Sequence, residues 1–431
     1  MSNRWCWTAL LLFGIPLAAN AQVADGGAQS ELIRQLLDRV ETLENRVAEL
    51  EGRSVKPDPP QTVAAAESSP PAMAQGHSEG APVGKSPEEQ AAVKGEAEPT
   101  YPSLKIQGFS DFNFSATDQK DTHSGFSEGQ FVLHFTSALS PRVNYFGEVS
   151  VTARTDAGTG TPPAPGFNFE VERSIIRYDQ SDYFKVSFGR FHTPINWWNT
   201  EFHHGQWLQT TISRPEMVEL GGSFIPVHFV GALVEGALPT GALNLNYDFG
   251  LGNGRSSVLS RAGDAGDLND NRAWLLTLFA KPTGLFGFQV GGSVYRDKIT
   301  LFSGRDFREW ITSGHIVWQR ENPEFIAEVA NVNHQQVGGG TAFNSQAFYV
   351  QVAYRLPWFE KLWKPYYRYE YIHIPLSDIV FQGVPDLSGS TVGLRYDISS
   401  FAAIKAEYRN DRRLPGVPHT NGAFLQTSFT F

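Results

Sequence analysis

The sequence predicts an all-β protein: a transmembrane antiparallel β-barrel of about sixteen strands, preceded by a short N-terminal coiled-coil helix and a disordered linker. Three observations carry this expectation. From residue 104 onward, apolar and polar residues alternate with a period of two, in segments of roughly ten residues separated by turn chemistry. The connections between segments fall into a short class and a long class that alternate along the chain. The composition, 41% hydrophobic with 31 Phe, 41 Gly, 3 Met and one Cys in 431 residues, is aromatic and glycine-rich, and past the first residues no run approaches roughly 18 consecutive apolar positions, which excludes a helical membrane bundle.

The N-terminus supplies the compartment. Arg4 precedes the apolar stretch from Trp5 to Ala18, and Ala19 and Ala21 place small residues where a signal peptidase reads, so residues 1–21 are expected to be an export signal cleaved after Ala21. Cys6 lies within that segment, which leaves the mature chain without a thiol nucleophile, a disulfide or a cysteine metal site. It also precedes the apolar core, too early for lipoprotein processing.

Residues 30–52 read as a coiled-coil oligomerisation helix. Ile33, Leu36, Val40, Leu43, Val47 and Leu50 recur at alternating spacings of three and four, with β-branched residues at every a position and Leu at every d. Arg39 and Arg46 fall at g, facing Glu44 and Glu51 at e of a parallel neighbour. The a and d choice favours two strands, and Leu37 at e widens the stripe towards three. Residues 53–101, rich in Pro, Ala, Ser, Gly and Glu, cannot bury enough apolar surface to offset chain entropy and are expected to form a flexible tether. The net charge of -10 divides into -6 over residues 1–100 and -4 over residues 101–431. Neither part is basic, so no nucleic-acid partner is expected.

Residues 102–431 form the predicted barrel. The first strand opens at Leu104 and the last closes at Phe431. Between them strands are expected near 129–139, 142–154, 167–178, 182–191, 225–236, 242–251, 271–281, 287–297, 309–319, 324–334, 345–355, 364–373, 389–398 and 402–410. Within 142–154, Tyr145, Val149, Val151 and Ala153 share one face and Glu148, Ser150 and Arg154 the other; within 402–410, Ile404 and Tyr408 oppose Lys405, Glu407 and Arg409. A charge facing hydrocarbon costs about 2 to 4 kcal/mol at the midplane, so the charged faces are expected to look inward onto a wet lumen. A barrel of about sixteen strands is wider than side chains can fill, which implies an aqueous channel. Trp274, Trp310, Trp318, Trp358 and Trp363 sit near strand ends, as interfacial girdles require.

The signal segment, the strand count and the terminal Phe431 closing an alternating strand resemble the outer-membrane porins of Gram-negative bacteria. Gly189-Arg190-Phe191-His192-Thr193-Pro194 is most similar to the phosphate-selective porin O/P family, although no rich inward ladder of Arg and Lys accompanies it. The resemblance implies a homotrimer in contact with outer-membrane lipid and lipopolysaccharide, with Phe431 as the signal read by the barrel-assembly machinery.

The loop at 192–220 follows the fifth strand and carries Trp197, Trp198, Glu201, His203, His204, Trp207, Arg214, Glu216 and Glu219. So many aromatics suit a loop folded into the lumen, where it would narrow the pore. On the wall, Asp111, Glu148, Glu170, Glu172 and Asp248 lie early, and Arg355, Arg368, Arg395, Lys405 and Arg409 lie late, with Glu370, Asp397 and Glu407 among them. If the loop's acids face the basic side, a transverse field crosses the constriction. Adjacent His203 and His204 lack an established ligand spacing, so no metal is expected. No GxSxG, HExxH or P-loop pattern occurs, and neither a cofactor nor an enzymatic activity is expected. The function expected is passive diffusion of small hydrophilic solutes or ions. The alternative is an envelope-tethering structural protein whose barrel anchors a periplasmic coiled coil reaching to the cell wall.

Overall fold

The computed structural model of the chain describes residues 101–120, 122–154, 166–202, 204–219, 224–261, 263–384, 386–413 and 419–431. The export signal, the Ile33 to Leu50 seam and the linker lie outside the described residues.

Sixteen strands close into one antiparallel barrel in sequence order. They are β1 (Lys105–Thr117), β2 (Gly125–Ser140), β3 (Val143–Arg154), β4 (Gly166–Ser181), β5 (Phe184–His192), β6 (His228–Ala237), β7 (Leu245–Asn253), β8 (Ala273–Ala280), β9 (Phe288–Thr300), β10 (Asp306–Gln319), β11 (Glu324–Gln336), β12 (Ala342–Ala353), β13 (Trp363–His373), β14 (Leu387–Ser399), β15 (Ala402–Arg413) and β16 (Thr420–Thr430). The seam pairs Phe109 with Thr430 and Thr117 with Gly422. Closure leaves no strand edge unpaired, the condition for a sheet to cross hydrocarbon. Phe431 extends the seam by exchanging backbone bonds with Gly108 at 2.8 and 3.0 Å, and its ring lies over Gly108, where a Cβ would overlap it.

The expected alternation of connection lengths is corrected in three places. After odd-numbered strands, the connections 301–305 and 337–341 are tight, and after an even one, 354–362 is long. Gly304 and the run Gly338, Gly339 and Gly340 adopt positive φ, which allows reversals too sharp for residues with a Cβ.

Side chains alternate between an exposed apolar face and a buried face carrying most of the charge. Ile316 and Trp318 point outward on β10, whereas Glu309, Ile311 and His315 point inward. Away from the turns, two bulges shift the phase. In β4, Glu148 of β3 pairs with Arg173 and Val149 with Val171, leaving Glu172 as the extra residue. Phe167, Phe169 and Val171 are exposed before it and Ile176 and Tyr178 after it, so Glu172 and Arg173 are both buried on the inner face. A bulge is the one backbone device that sends two successive residues to the same side. At the other bulge, Asp111 of β1 stands opposite Gly129 and Gln130. Its carboxylate accepts the Gln130 N–H at 3.0 Å and occupies the space a Cβ on Gly129 would need.

The loop after β5 and the walls that hold it

The connection between β5 and β6 spans residues 193–227. His192 and His228 are opposed in the ladder at its base. Asn199 Nδ2 donates to the carbonyls of Thr193, Pro226 and Val227 at 2.7 to 3.4 Å, tying the outgoing and returning chains together. Asn196 turns the chain with φ 63°, a conformation Asn tolerates better than most residues. A single helical turn, α1 (Trp198–Glu201), follows.

Wall residues far apart in the ladder engage this segment. On β11, one Glu328 oxygen accepts the N–H groups of Trp197 and Trp198, both at 2.7 Å. Thr210 Oγ1 donates at 2.9 Å to Glu324, the first residue of the same strand. On β15, Glu407 accepts from Ile212 N at 2.9 Å and Ser213 Oγ at 2.8 Å, and Lys405 Nζ donates to the Gln206 and Thr211 carbonyls. On β14, Arg395 donates to the Trp207 and Gln209 carbonyls at 2.8 and 2.9 Å. On β13, Arg368 reaches the Ser213 and Arg214 carbonyls at 2.8 and 3.0 Å, and Glu370 accepts the Glu216 N–H at 2.6 Å. Carboxylates take loop N–H groups and cations take loop carbonyls, so irregular backbone is hydrogen-bonded although it is buried.

Opposite, the base of the loop meets a charged cluster. His204 Nδ1 lies 2.9 Å from Glu148 Oε1 on β3 and its Nε2 3.6 Å from Glu172. Arg173 pairs with Glu148 at 2.5 Å, and Arg190 and His228 lie 3.5 and 3.2 Å from Glu172. Glu148 and Glu172 are thus paired with Arg173 and Arg190, which the sequence left unassigned. The late cations are balanced likewise, Arg368 by Glu370, Arg395 by Asp397 and Arg409 by Glu407. At these positions the expected transverse separation of charge is compensated within pairs, and the three late pairs form because residues two apart on a strand share the inner face.

The expectation of a uniformly wet interior is also corrected. Trp197, Trp198, Met217, Val218 and Phe224 pack with the inner faces of β8 to β12, including Leu275, Tyr295, Ile311, Ile326, Val332 and Tyr349, as one buried apolar cluster. Trp198 stands edge-on to Phe202 and Tyr349 at 5.0 and 6.0 Å. From 374–386, Phe381 stacks on Phe224 at 5.3 Å, and Asp378 takes His334 Nδ1 at 2.7 Å. His334 in turn touches Glu309, which pairs with Arg255 at 2.6 Å. Glu324, Glu328, Arg255, Asp378 and Phe381 were not among the candidates. The available signal was strands such as Ala-Trp-Leu-Leu-Thr-Leu-Phe-Ala at 273–280, apolar on both faces, where Leu275 joins the inner cluster while Leu276 and Leu278 stay exposed on the outer face.

Of the remaining candidates, Arg355 lies beyond the end of β12, in the turn, where it bridges Glu321 at 2.7 Å and Asp397; it is not a wall residue of the strand. Pro365 and Trp363 hold that turn by ladder bonds to Tyr354 and Leu356. The Arg409 guanidinium lies 3.8 Å from the Phe424 ring centre. Trp207 is half-buried with its ring 6.0 Å from Arg395, and Arg214 is buried with Nε donating to the Val218 carbonyl at 3.0 Å. Glu219 follows the short turn at Glu216–Val218, and His203 lies outside the described residues. Among the described residues no group of three or more His, Cys, Asp or Glu is arranged to hold a metal ion.

Glu201 is buried in α1, and burial, opposed in part by Lys281, pushes its carboxyl up to about 7. Released from the wall, it would ionise from about 4.5. Docking of the loop is therefore expected to weaken as pH rises from about 4.5 through about 7 and then to level off. Protease protection of 193–227 measured across that range should follow this fall, and Glu201→Gln should flatten it; an unchanged slope in the variant would assign the effect elsewhere.

Fold and site define a closed sixteen-strand antiparallel barrel with the connection after β5 bonded to its inner walls. Among solved structures, it is similar to an anion-selective porin from Comamonas acidovorans, with 12% identity, a TM-score of 0.55, and coverage of 77% of this chain and all of that one. It is likewise similar to the outer membrane channel DcaP of Acinetobacter baumannii, at 12% identity, TM-score 0.53 and 77% and 97% coverage. OmpT, an outer membrane protein of Vibrio cholerae in its trimer form, gives 13% identity, TM-score 0.50 and 77% and 99% coverage. No protein-family model and no curated protein sequence matches the chain.

Proposed function

We propose that the chain is an outer-membrane channel for passive diffusion of small hydrophilic solutes or ions, narrowed by the loop at 192–220. The observation that carries this reading is the sided barrel, apolar outside and charged inside, with loop residues 197–216 bonded to walls on β3, β11, β13, β14 and β15. Backbone that crosses a lumen at several anchors leaves a narrow path and favours small solutes. The barrel works as a homotrimer, as the trimer form of the Vibrio protein suggests, with Phe431 read by the barrel-assembly machinery and the coiled coil in the periplasm.

Planar-bilayer recording of the full chain tests this. Discrete conductance steps, with permeation falling steeply as neutral solutes grow, are expected. Absence of any conductance across the protein concentrations that insert would overturn the channel reading in favour of the tethering alternative.

A further inference from the structure

The connection between β13 and β14, residues 374–386, also folds inward, and it is held by charge as well as by apolar packing. Phe381 is 1% exposed and stacks at 5.3 Å on Phe224, in the returning arm of the 193–227 loop. Val380 packs beside Ile299 and Phe307, at the ends of β9 and β10. Next to Phe381, Asp297, Glu309 and His334 stand in one row across β9, β10 and β11, opposed directly in the ladder and buried on the inner face. Asp378 of the connection meets the end of this row. Its carboxylate lies 2.7 Å from His334 Nδ1, while Nε2 of the same ring lies 3.0 Å from Glu309.

Both partners of this ring are carboxylates, which when ionised accept hydrogen bonds and have no proton to give. Both ring nitrogens therefore donate, and His334 is an imidazolium closed between two acids. Arg255, from the 254–272 connection, pairs with Glu309 at 2.6 Å and gives its backbone N–H to Asp297 at 2.7 Å, where Tyr295 Oη also donates at 3.1 Å. The Phe381 ring stands edge-on to the imidazole at 4.5 Å. Loss of the ring proton removes one of the two cations that face these three carboxylates, and it turns a lone pair on the ring towards an acid. Both changes are costly in a buried site. Asp297, Glu309 and His334 cannot separate without breaking the ladder. Asp378 can, because the β13 to β14 ladder ends at Ile372 and Leu387 and its connection lies outside it.

We propose that His334 is a proton-dependent clasp: protonated, it holds residues 374–386 as a lid against the constriction loop, and when the proton is lost Asp378 swings away and takes the lid with it. The protonated ring stabilises the docked state, so docking is lost as pH rises through the loss of that proton. The lid's effect on permeation rests on the channel reading above; the clasp itself does not. A second titratable pair lies on the same connection, His373 with Asp386 at 3.2 Å. Asp386 also accepts the Ile374 N–H at 3.2 Å, so it ties the two ends of the connection to each other and leaves Asp378 to hold its centre to the wall.

The test places a nitroxide spin label at Gln382→Cys, exposed beside Phe381, in the full chain carrying Cys6→Ser and held in detergent. The immobilised component of its spectrum is expected at about pH 6 and should be lost by about pH 10, a range above that of ordinary carboxylates. A label at Phe302→Cys, exposed in the tight 301–305 turn, should report no change. Asp378→Asn should remove the step and keep the lid docked throughout, because an amide accepts from the protonated ring and donates to the neutral one. His334→Gln should also remove the step, with the lid mobile throughout. A parent spectrum unchanged over the range would overturn the proposal. So would a step that survives in Asp378→Asn, since the titration would then belong to His373 or another group. Planar-bilayer recording separates the clasp from the channel: conductance should rise over the same range, and by more in the parent than in Asp378→Asn. A spectral step without conductance at any pH would sink the channel reading and leave the clasp standing. Conductance without the spectral step would do the reverse.

Discussion

Arg368→Ala should raise single-channel conductance above that of the parent and broaden its distribution. The Arg368 side chain is 1% exposed and makes more loop contacts than any other single anchor described above: Ser213 O, Ser213 Oγ, Arg214 O and Thr211 Oγ1 at 2.6 to 3.4 Å. Removing it also strips a cation from Glu370, 3.2 Å away. Breaking a buried pair by deleting one partner costs about 3 to 5 kcal/mol, because the orphaned charge and carbonyls stay buried. That loss falls on the docking of the loop, since position 368 keeps its ladder partners Gln351 and Thr391 in either case. The barrel should therefore still fold and keep its heat-modifiable gel mobility. Arg368→Lys should fall between the two, because an ammonium holds charge without the planar fork that reaches several oxygens at once. A conductance identical to the parent's in Arg368→Ala would mean that the loop does not limit the path.

Trp198→Ala should expose residues 193–227 to protease within an otherwise folded barrel. Trp198 is fully buried between the loop and the β11 and β12 walls, and truncating a large buried aromatic costs about 3 to 5 kcal/mol in lost transfer and cavity energy. No ladder bond passes through this residue, so the cost is borne by the inner apolar cluster. Limited proteolysis followed by mass analysis reads the outcome. Trp310→Ala, on the outer face, is the matched control and should leave the loop protected. Equal protection in both variants would show that the polar anchors alone hold the loop in place.

Much of the barrel was legible because alternation is local. Strand β15 was placed at 402–410 and is observed at Ala402–Arg413, and β11 was placed at 324–334 and is observed at Glu324–Gln336. At Glu172 and Arg173 a bulge puts both side chains inside, and no two-residue period can announce a residue added on one side. The wet-lumen expectation failed for a different reason. It was drawn from strands with charged inner faces, such as β13 and β15, while Ile311, Ile326 and Tyr349 on β10, β11 and β12 face a loop that lies far earlier in the sequence.

Among the candidates, Trp197, Trp198, His204 and Arg214 are buried where the loop meets the wall, as their residue types invited. Their partners were not visible beforehand. Glu328 meets Trp198 across 130 positions, Glu370 meets Glu216 across 154 and Glu407 meets Ile212 across 195. Carboxylates on a lumen wall look alike in sequence, whether they meet water or a backbone N–H.

The amino-acid order by itself determined that this chain closes into a sixteen-strand barrel with apolar residues outward, because a period of two and the cost of charge in hydrocarbon act on each strand separately. Which wall receives the loop, which charges are neutralised and which part of the interior becomes a packed core were decided only by tertiary structure. Those outcomes depend on distant side chains meeting after closure, and closure is the step that brings β5 within reach of β11 and β15.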